Sequence, residues 1–211
     1  MNIALSTAAL ALAAALPAHA AGSITLDFEG ATGYVNAIAN YYNGGTDSLG
    51  HSGPNLGVSF TEAAVGLSND QDFSYYSNAP TGGTVLFALD SSATMNVAGG
   101  FSDQLTFYYA SNVNVLDAVN IYSGLNGSGM LLASASLFGN ASLGCNDTAY
   151  CRFDLTSVKF AGVAQSVTFG GNAGFVAYDN IGISPVPEPS QYLMLALGLV
   201  AVACAIQRRP R

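Results

Sequence analysis

Side chains able to carry out acid–base or nucleophilic chemistry are sparse in this 211-residue chain. Beyond the apolar N-terminal segment the sequence has one histidine, His51, in a glycine-rich stretch. It has no Gly-x-Ser-x-Gly motif and no histidine cluster that would hold a catalytic metal. Carboxylates such as those of Asp70 and Asp103 could form a glycosidase pair, but no spacing rule places them at the required separation. The sequence therefore predicts a protein that is not an enzyme, with a secreted glycoside-acting enzyme as the alternative.

Two pairs of adjacent tyrosines stand out in polar segments, Tyr41-Tyr42 and Tyr75-Tyr76. Sugar rings pack their C–H faces on flat aromatic surfaces, while neighbouring Asn and Asp side chains bond the hydroxyls. These four tyrosines are the residues that we expect to contact a glycan. The alternative is that their rings cover the edge of the core or line a sheet.

Short apolar segments bounded by Gly, Asn, Asp or Ser recur along the chain and predict strands. Alternation of apolar and polar residues, as in Leu105-Thr106-Phe107, is typical of strands with one buried face. No helix is predicted between residues 21 and 185, and the stretch from Asn40 to Asn55 reads as one long loop. The predicted strands are 23–28, 57–60, 84–89, 94–97, 104–109, 118–122, 130–137, 150–155, 166–169 and 174–183. This pattern predicts a single all-β sandwich of jelly-roll type over residues 21–185.

Both ends of the chain have the composition of targeting segments. Residues 3–16 are nearly all Ala and Leu and are followed by Pro17-Ala-His-Ala20, a small-residue cleavage site, which predicts a signal peptide over residues 1–20 and a partner in signal peptidase. No Lys or Arg precedes this apolar run. At the other end, Pro187-Glu188-Pro189 precedes an uncharged run from Tyr192 to Ile206 and the basic residues Arg208, Arg209 and Arg211.

The C-terminal run predicts a short transmembrane helix over residues 192–206. Its 15 residues would cover about 22 Å as a helix, somewhat less than a bilayer's hydrocarbon core. By the positive-inside rule the three arginines lie in the cytoplasm, so the preceding domain lies outside. Without the two end segments the domain keeps Arg152 and Lys159 as its basic residues against thirteen acidic ones in the chain, a balance that excludes nucleic-acid binding.

The order of Pro-Glu-Pro, apolar helix and terminal arginines over residues 186–211 resembles the PEP-CTERM sorting tail of exported Gram-negative proteins. The resemblance implies transient anchoring in the inner membrane, followed by cutting near Pro187, Glu188 and Pro189 by an exosortase-type transpeptidase. The alternative is an unprocessed membrane anchor. The segments 101–110, 119–133, 158–162, 166–169 and 178–181 also resemble ectodomains of this family, which are similar to the jelly-roll of carbohydrate-binding modules.

That second resemblance implies a structural Ca²⁺ site. Modules of this type often hold the ion between an acidic residue that follows the Phe of the first strand and an Asp near the last strand. Phe28-Glu29 and Asp179-Asn180 occupy those places here, with Asp27 as a helper. We therefore expect Asp27, Glu29 and Asp179 to bind calcium, and the alternative is that these carboxylates point to solvent.

Two cysteines of the exported domain, Cys145 and Cys151, lie six residues apart. Because disulfides persist outside the cytoplasm, we expect a bridge between them. Together these features predict an exported surface or extracellular-matrix protein that acts by adhesion or exopolysaccharide association. The competing function is a purely structural matrix protein without a ligand.

Overall fold

The computed structural model describes residues 22–70, 72–170, 174–186, 195–196 and 198–200. Between residues 22 and 186 the described chain contains strands and no helix, as expected. The strands are β1 (Ile24–Leu26), β2 (Asn36–Ala37), β3 (Val58–Phe60), β4 (Ala64–Ser68), β5 (Thr84–Ala88), β6 (Thr94–Ser111), β7 (Val115–Tyr122), β8 (Leu131–Leu137), β9 (Asp154–Thr168) and β10 (Val176–Pro185).

All ten strands belong to one hydrogen-bonded sheet, and every pair of neighbouring strands is antiparallel. The strand order is β2-β4-β5-β10-β6-β9-β7-β8, with β1 beside β10 and β3 beside β6. The last strand along the chain, β10, therefore lies inside the sheet and pairs with β1, β5 and β6.

Two long strands bend the sheet back on itself. The pairing of β6 with β9 shifts register between Asn96 and Phe101, and the bend contains Gly100, whose φ of 79° favours glycine. One half of β6 then pairs with β3 while the other pairs with β10. The sheet thus forms two layers that face each other, one with β10 and one with β3. The layers contact each other where the ring of Phe169, after β9, lies 5.0 Å from that of Tyr178 on β10. The predicted all-β sandwich is confirmed.

The main core fills the space between these layers. Along β6, Phe101, Leu105 and Phe107 are fully buried while the intervening Gln104 and Thr106 are partly exposed, as the two-residue period of a strand requires. The same alternation holds for Val119 and Ile121 on β7.

A second apolar cluster, here called the outer cluster, covers the opposite face of the β4-β5-β10-β6 layer. Leu67, Val85, Ala110 and Ala177 come from those four strands. Tyr76, from the loop between β4 and β5, and Ala141 and Tyr150, from the loop between β8 and β9, pack over them. The two loops are joined by a parallel bridge between Tyr76 and Tyr150. Loops, not a third layer of strands, thus shield this face from water.

The predicted strand positions agree with the structure in most of the chain. The segments predicted at 94–97 and 104–109 are parts of the single strand β6, and those predicted at 150–155 and 166–169 overlap only the two ends of β9, whereas β2 and β4 were not predicted. The loop predicted from Asn40 to Asn55 contains only isolated bridges, Asn43 with Asn55 and Thr46 with Ser52.

Both predicted targeting segments lie largely outside the described residues. These include the signal peptide over residues 1–20 and most of the span over residues 192–206, of which 195–196 and 198–200 are described and helical. Among the described residues, no helix has the length and apolar character needed to cross a membrane.

Candidate functional site

An oxygen-rich cluster forms where β1, β10 and the loop before β5 meet. We call it the Thr81 cluster, after the residue at its centre; its other members are Asp27, Glu29, Asp179 and Asn180. The backbone is irregular at two points of this cluster: Asn180 has a φ of 48°, at a register shift in β10, and Phe28, which lies between the members Asp27 and Glu29, has a φ of 61°. Such left-handed positions turn the chain out of the sheet and bring the side chains together.

Asp179 is fully buried in this cluster. Its carboxylate accepts hydrogen bonds from the backbone N–H of Thr81 at 3.0 Å and from the N–H of Asn180 at 2.7 Å. Burial raises the pKa of Asp179 to about 6, the nearby Glu29 contributes in the same direction, and the bonds from Thr81 and Asn180 oppose the rise. The structure therefore holds this carboxylate in a place that disfavours its ionised form unless a positive charge is added.

Glu29 and Asp27 bind the surrounding backbone. Glu29 Oε1 accepts from the N–H groups of Gly83 at 2.8 Å and Thr84 at 3.1 Å. Asp27 Oδ1 lies 3.4 Å from the N–H of Glu29 and 3.5 Å from the hydroxyl of Tyr42. Glu29 and Asp179 thus hold the segment from Thr81 to Thr84 through hydrogen bonds. Glu29 is partly buried, whereas Asp27 is exposed, as the alternative of a solvent-facing carboxylate expects.

The oxygen spacing around Thr81 tests whether a cation fits. The Thr81 hydroxyl oxygen lies 3.0 Å from both carboxylate oxygens of Asp179, 3.2 Å from Asn180 Oδ1 and 3.4 Å from the carbonyl oxygen of Asp27. One hydroxyl proton cannot serve all four acceptors. Carboxylate, amide and carbonyl oxygens are the ligands that Ca²⁺ takes, at about 2.3–2.6 Å from the ion, so the cluster offers the donor chemistry that this ion requires.

The carboxylates alone do not make a compact metal site. Across the described residues, only Cys145, Asp147 and Cys151 bring three His, Cys, Asp or Glu ligand atoms within 4.8 Å of one another. The cysteines of that group are joined as the predicted disulfide, which is confirmed, and so they do not act as thiolate ligands. A cation in the Thr81 cluster would need the hydroxyl, amide and backbone oxygens as well as Asp27, Glu29 and Asp179.

The structure places three of the four predicted glycan-binding tyrosines inside the protein. Tyr41, Tyr42 and Tyr76 have 7%, 2% and 2% of their surface exposed. The Tyr42 hydroxyl accepts the N–H of Phe28 at 2.6 Å, and the Tyr76 hydroxyl donates to the carbonyl of Gly83 at 2.7 Å. Burial raises the pKa of Tyr76 to about 12. Because these rings serve the fold, they offer no stacking surface to a ligand.

Tyr75 is half-buried and lies beside Tyr34, which is not one of the predicted glycan-binding residues. The two rings are stacked, with centroids 5.5 Å apart and an angle of 24° between their planes, and Phe73 lies 4.6 Å from Tyr75. Tyr34 and Phe73 are 62% and 57% exposed. The pairing spans 41 positions of sequence, so no local pattern could reveal it.

The rings of Tyr34 and Tyr75 border a cleft of about 210 Å³ on the outer face of β4 and β5, here called the tyrosine cleft. Loss of hydration raises the pKa of Tyr75, and the neighbouring Tyr34 and Asp70 contribute to the rise. The residues that line the cleft are Tyr34, Val35, Val65, Leu67, Tyr75, Phe87, Leu89 and Tyr150.

Polar side chains fix the loop that carries Tyr75. Asn69 Oδ1 accepts from the N–H groups of Tyr75 at 2.8 Å and Tyr76 at 3.2 Å, and Asn69 Nδ2 donates to the carbonyl of Tyr76 at 2.7 Å. Asp70 Oδ1 accepts from the N–H of Phe73 at 2.7 Å. Tyr75 and Phe73 are therefore held by a hydrogen-bonded loop, which reduces the entropy cost of binding.

His51 is paired with a buried carboxylate. Its Nδ1 lies 2.7 Å from Asp47 Oδ2, which also accepts from Asn36 Nδ2 at 2.7 Å. Asp47 Oδ1 accepts from the N–H groups of Leu49 and His51. Burial works to raise the pKa of Asp47, but these bonds from Asn36 and His51 outweigh it and lower the pKa. The contacts organise the loop after β2.

Comparison with known proteins assigns the C-terminal segment. Residues 185–209 match the PEP-CTERM protein-sorting motif, as expected from the sequence. The motif implies a protein that is exported and sorted to the cell surface. The motif residues Pro187, Glu188 and Pro189 and the basic residues Arg208, Arg209 and Arg211 lie outside the described residues.

Several solved structures are similar to the sandwich. The K2 cleaved adhesin domain of Lys-gingipain is 17% identical, with 77% of this chain and 99% of that chain covered and a TM-score of 0.47. CsCBM6-3 from Clostridium stercorarium, solved in complex with cellobiose, is 18% identical, with coverages of 59% and 83% and a TM-score of 0.37. A CBM35 from Paenibacillus barcinonensis is 15% identical, with coverages of 62% and 94% and a TM-score of 0.38.

No curated protein matches this sequence. The chain thus joins an all-β sandwich to a PEP-CTERM protein-sorting motif at residues 185–209.

Proposed function

We propose that this chain is an exported surface or extracellular-matrix protein that associates with exopolysaccharide through the tyrosine cleft. The observation that carries the proposal is an exposed, preorganised aromatic surface, formed by Tyr34, Tyr75 and Phe73, on a domain that ends in a sorting motif. Exposed aromatic rings of this kind stack on sugar faces. Adhesion follows if the polysaccharide belongs to another cell or to the shared matrix.

The test is binding of the purified full-length chain to exopolysaccharide from its host. We expect binding that is lost in the double variant Tyr34→Ala, Tyr75→Ala and kept in Tyr108→Ala, a partly exposed tyrosine on β6. Turnover of the polymer would support the alternative of a glycoside-acting enzyme. No binding by the wild-type chain would favour a purely structural matrix protein.

Sorting would involve signal peptidase at the front of the chain and an exosortase-type transpeptidase at the tail. In this scheme the tail is held in the inner membrane of a Gram-negative bacterium until it is cut near Pro187-Glu188-Pro189. The intact mass of the native protein tests it: we expect a chain that begins near Ala21 and ends near Pro189. A mass that still includes Arg211 would leave a membrane-anchored surface domain and remove the transpeptidase from its partners.

We further propose that the Thr81 cluster binds a structural Ca²⁺. The buried carboxylate of Asp179 and the crowding of oxygens around Thr81 support this assignment. The bound ion would supply the positive charge that the cluster lacks, and Asp27, Glu29 and Asp179 would tie β1, the loop before β5 and β10 together.

Calcium at about 100 times its Kd would stabilise the fold by about 2.7 kcal/mol, which corresponds to a rise in Tm of roughly 5–10 °C. The variant Asp179→Asn should lose this response. Magnesium serves as the control cation, since it prefers a tighter octahedral shell. An unchanged melting curve of the wild-type chain in calcium and in chelator would contradict the site.

A further inference from the structure

The tyrosine cleft is poor in polar atoms for a surface that contacts a sugar. Five of its lining side chains, those of Val35, Val65, Leu67, Phe87 and Leu89, carry no polar atom. The other three are tyrosines, and the hydroxyl of Tyr150 already donates to the carbonyl of Gly174 at 3.1 Å. The hydroxyls of Tyr34 and Tyr75, which are close enough to hydrogen-bond to each other, are the other side-chain polar groups of the lining.

This lining discriminates between parts of a sugar. A ring edge with several hydroxyls would lose its water in the cleft and find few replacement partners, which is unfavourable. A methyl or acetyl group has few hydrogen bonds to lose on leaving water. Its burial against the side-chain carbon atoms of Leu89 and Phe87 is favourable in free energy. The cleft therefore favours the carbon-rich substituents of a sugar over its hydroxylated edge.

The dimensions of the cleft agree with a substituent or a single sugar unit. Its volume of about 210 Å³ is below the roughly 300–1,000 Å³ of sites that enclose a whole drug-sized ligand. Tyr34 and Phe73 project beside it with most of their surface exposed. A polymer could thus lie across these rings while one substituent enters the cleft.

The charges near the cleft disfavour acidic polymers. Asp70 lies close enough to Tyr75 to affect its hydroxyl, and Asp90 directly follows Leu89. No Lys or Arg lines the cleft, and Arg152, one of the two basic residues of the domain, is paired with Asp154 at 2.9 Å. A uronate polymer would meet uncompensated negative charge here.

We propose that the tyrosine cleft selects neutral polysaccharides whose sugars carry O-acetyl groups or the methyl groups of 6-deoxyhexoses. This inference rests on the proposed function of polysaccharide association and adds the chemical class of the polymer. It assigns Leu89 and Phe87 as the residues that determine specificity, and Tyr34 and Tyr75 as the residues that contact the sugar ring.

The experiment compares ligands that differ only in the substituent. The full-length chain is immobilised on a biosensor and exposed to acetylated glucomannan, to the same glucomannan after chemical deacetylation, and to polygalacturonate. We expect acetylated glucomannan to bind at least about fivefold more tightly than its deacetylated form, from burial of the acetyl methyl group. Polygalacturonate should show no binding.

Variants locate the effect. Leu89→Ser places a polar group in the cleft wall and should remove the preference for the acetylated polymer. Leu116→Ser, at a residue that is 77% exposed on β7, is the matched control and should leave the preference intact. A circular dichroism melt of each variant verifies that it is folded.

The outcomes separate this inference from the proposed function. Equal binding of both glucomannans that is lost in Tyr34→Ala, Tyr75→Ala would overturn the selectivity while leaving polysaccharide association in place. Binding of polygalacturonate, or a preference that survives Leu89→Ser, would also overturn it. Failure of the host exopolysaccharide and all three probes to bind would overturn both proposals.

Discussion

The main core and the outer cluster are two apolar regions on opposite faces of the same sheet layer, and they are closed in different ways. Strands from both layers of the sandwich enclose the main core, where Phe101, Leu105 and Phe107 are fully buried. Two loops cover the outer cluster, and they leave Phe87 half-buried and Leu89 exposed at the tyrosine cleft. Closure by strands produces a sealed interior, whereas closure by loops leaves an apolar surface that is available for binding.

The largest expected effect on stability comes from truncating one phenylalanine in each region. We expect Phe107→Ala to lower the free energy of unfolding by about 3–5 kcal/mol, because it leaves a cavity among fixed strands. Phe87→Ala should cost about 1–2 kcal/mol, since its side chain is partly hydrated already. Urea denaturation of the full-length variants measures both values. Equal losses would mean that the loops seal the outer face as well as strands do.

Removing the disulfide tests whether the loop between β8 and β9, which covers part of the outer cluster, depends on this bridge for its stability. Cys145 and Cys151 are six residues apart, and opening so short a loop should cost about 2 kcal/mol of stability. In the double variant Cys145→Ser, Cys151→Ser we expect faster amide hydrogen exchange in the loop between β8 and β9, with β6 and β10 unchanged. Faster exchange in β6 would show that the two regions are not independent.

Removing one hydroxyl group from the main core should change the free energy of unfolding by less, and in the stabilising direction. The hydroxyl of Tyr178 is buried without a hydrogen-bond partner among the described residues, which is unfavourable. Tyr178→Phe should therefore raise stability by about 1 kcal/mol. Tyr42→Phe is the matched control and should lower it, because the N–H of Phe28 would lose its acceptor. Destabilisation in both variants would contradict the assignment.

The smallest expected effect on the free energy of unfolding depends on pH and comes from the loop that contains Tyr41, Tyr42 and Asp47. Its Asp47 has a pKa below the usual 3.8. Ionised Asp47 therefore stabilises the fold fully above the unfolded-state pKa, and this contribution is lost as the pH falls through the folded-state value. The difference in unfolding free energy between the wild-type chain and Asp47→Asn should shrink below about pH 4. A difference that stays constant from pH 3 to 7 would exclude this role.

The same contrast explains how much could be predicted from the sequence. Strands β3 and β7 contain alternating apolar and polar residues with one buried face, and they lie close to their predicted positions. Strand β4 was missed because Ala64, Val65 and Leu67 are buried on both faces, which removes the alternation. A strand buried on both faces has no periodic signal, and β5, which is buried in the same way, was predicted from its short apolar run.

The candidate site was less predictable for a related reason. Tyr42 and Tyr76 lie in polar segments, yet their hydroxyls are consumed by backbone groups of distant segments, Phe28 and Gly83. The stacking partner of Tyr75 is Tyr34, which comes from before β2. Loop residues find their partners through tertiary structure, so neither local spacing nor composition could separate Tyr75 from the buried tyrosines.

The position of β10 constrains the order of folding. This strand is the last of the ten, yet it lies inside the sheet and pairs β1 residues such as Ile24 with Ile183, far apart in sequence. Contacts of such high sequence separation form slowly, and the β1, β5 and β6 edges stay open until residues 176–185 have emerged. The sandwich can therefore close only after residues 176–185 are available, immediately before the segment that matches the sorting motif.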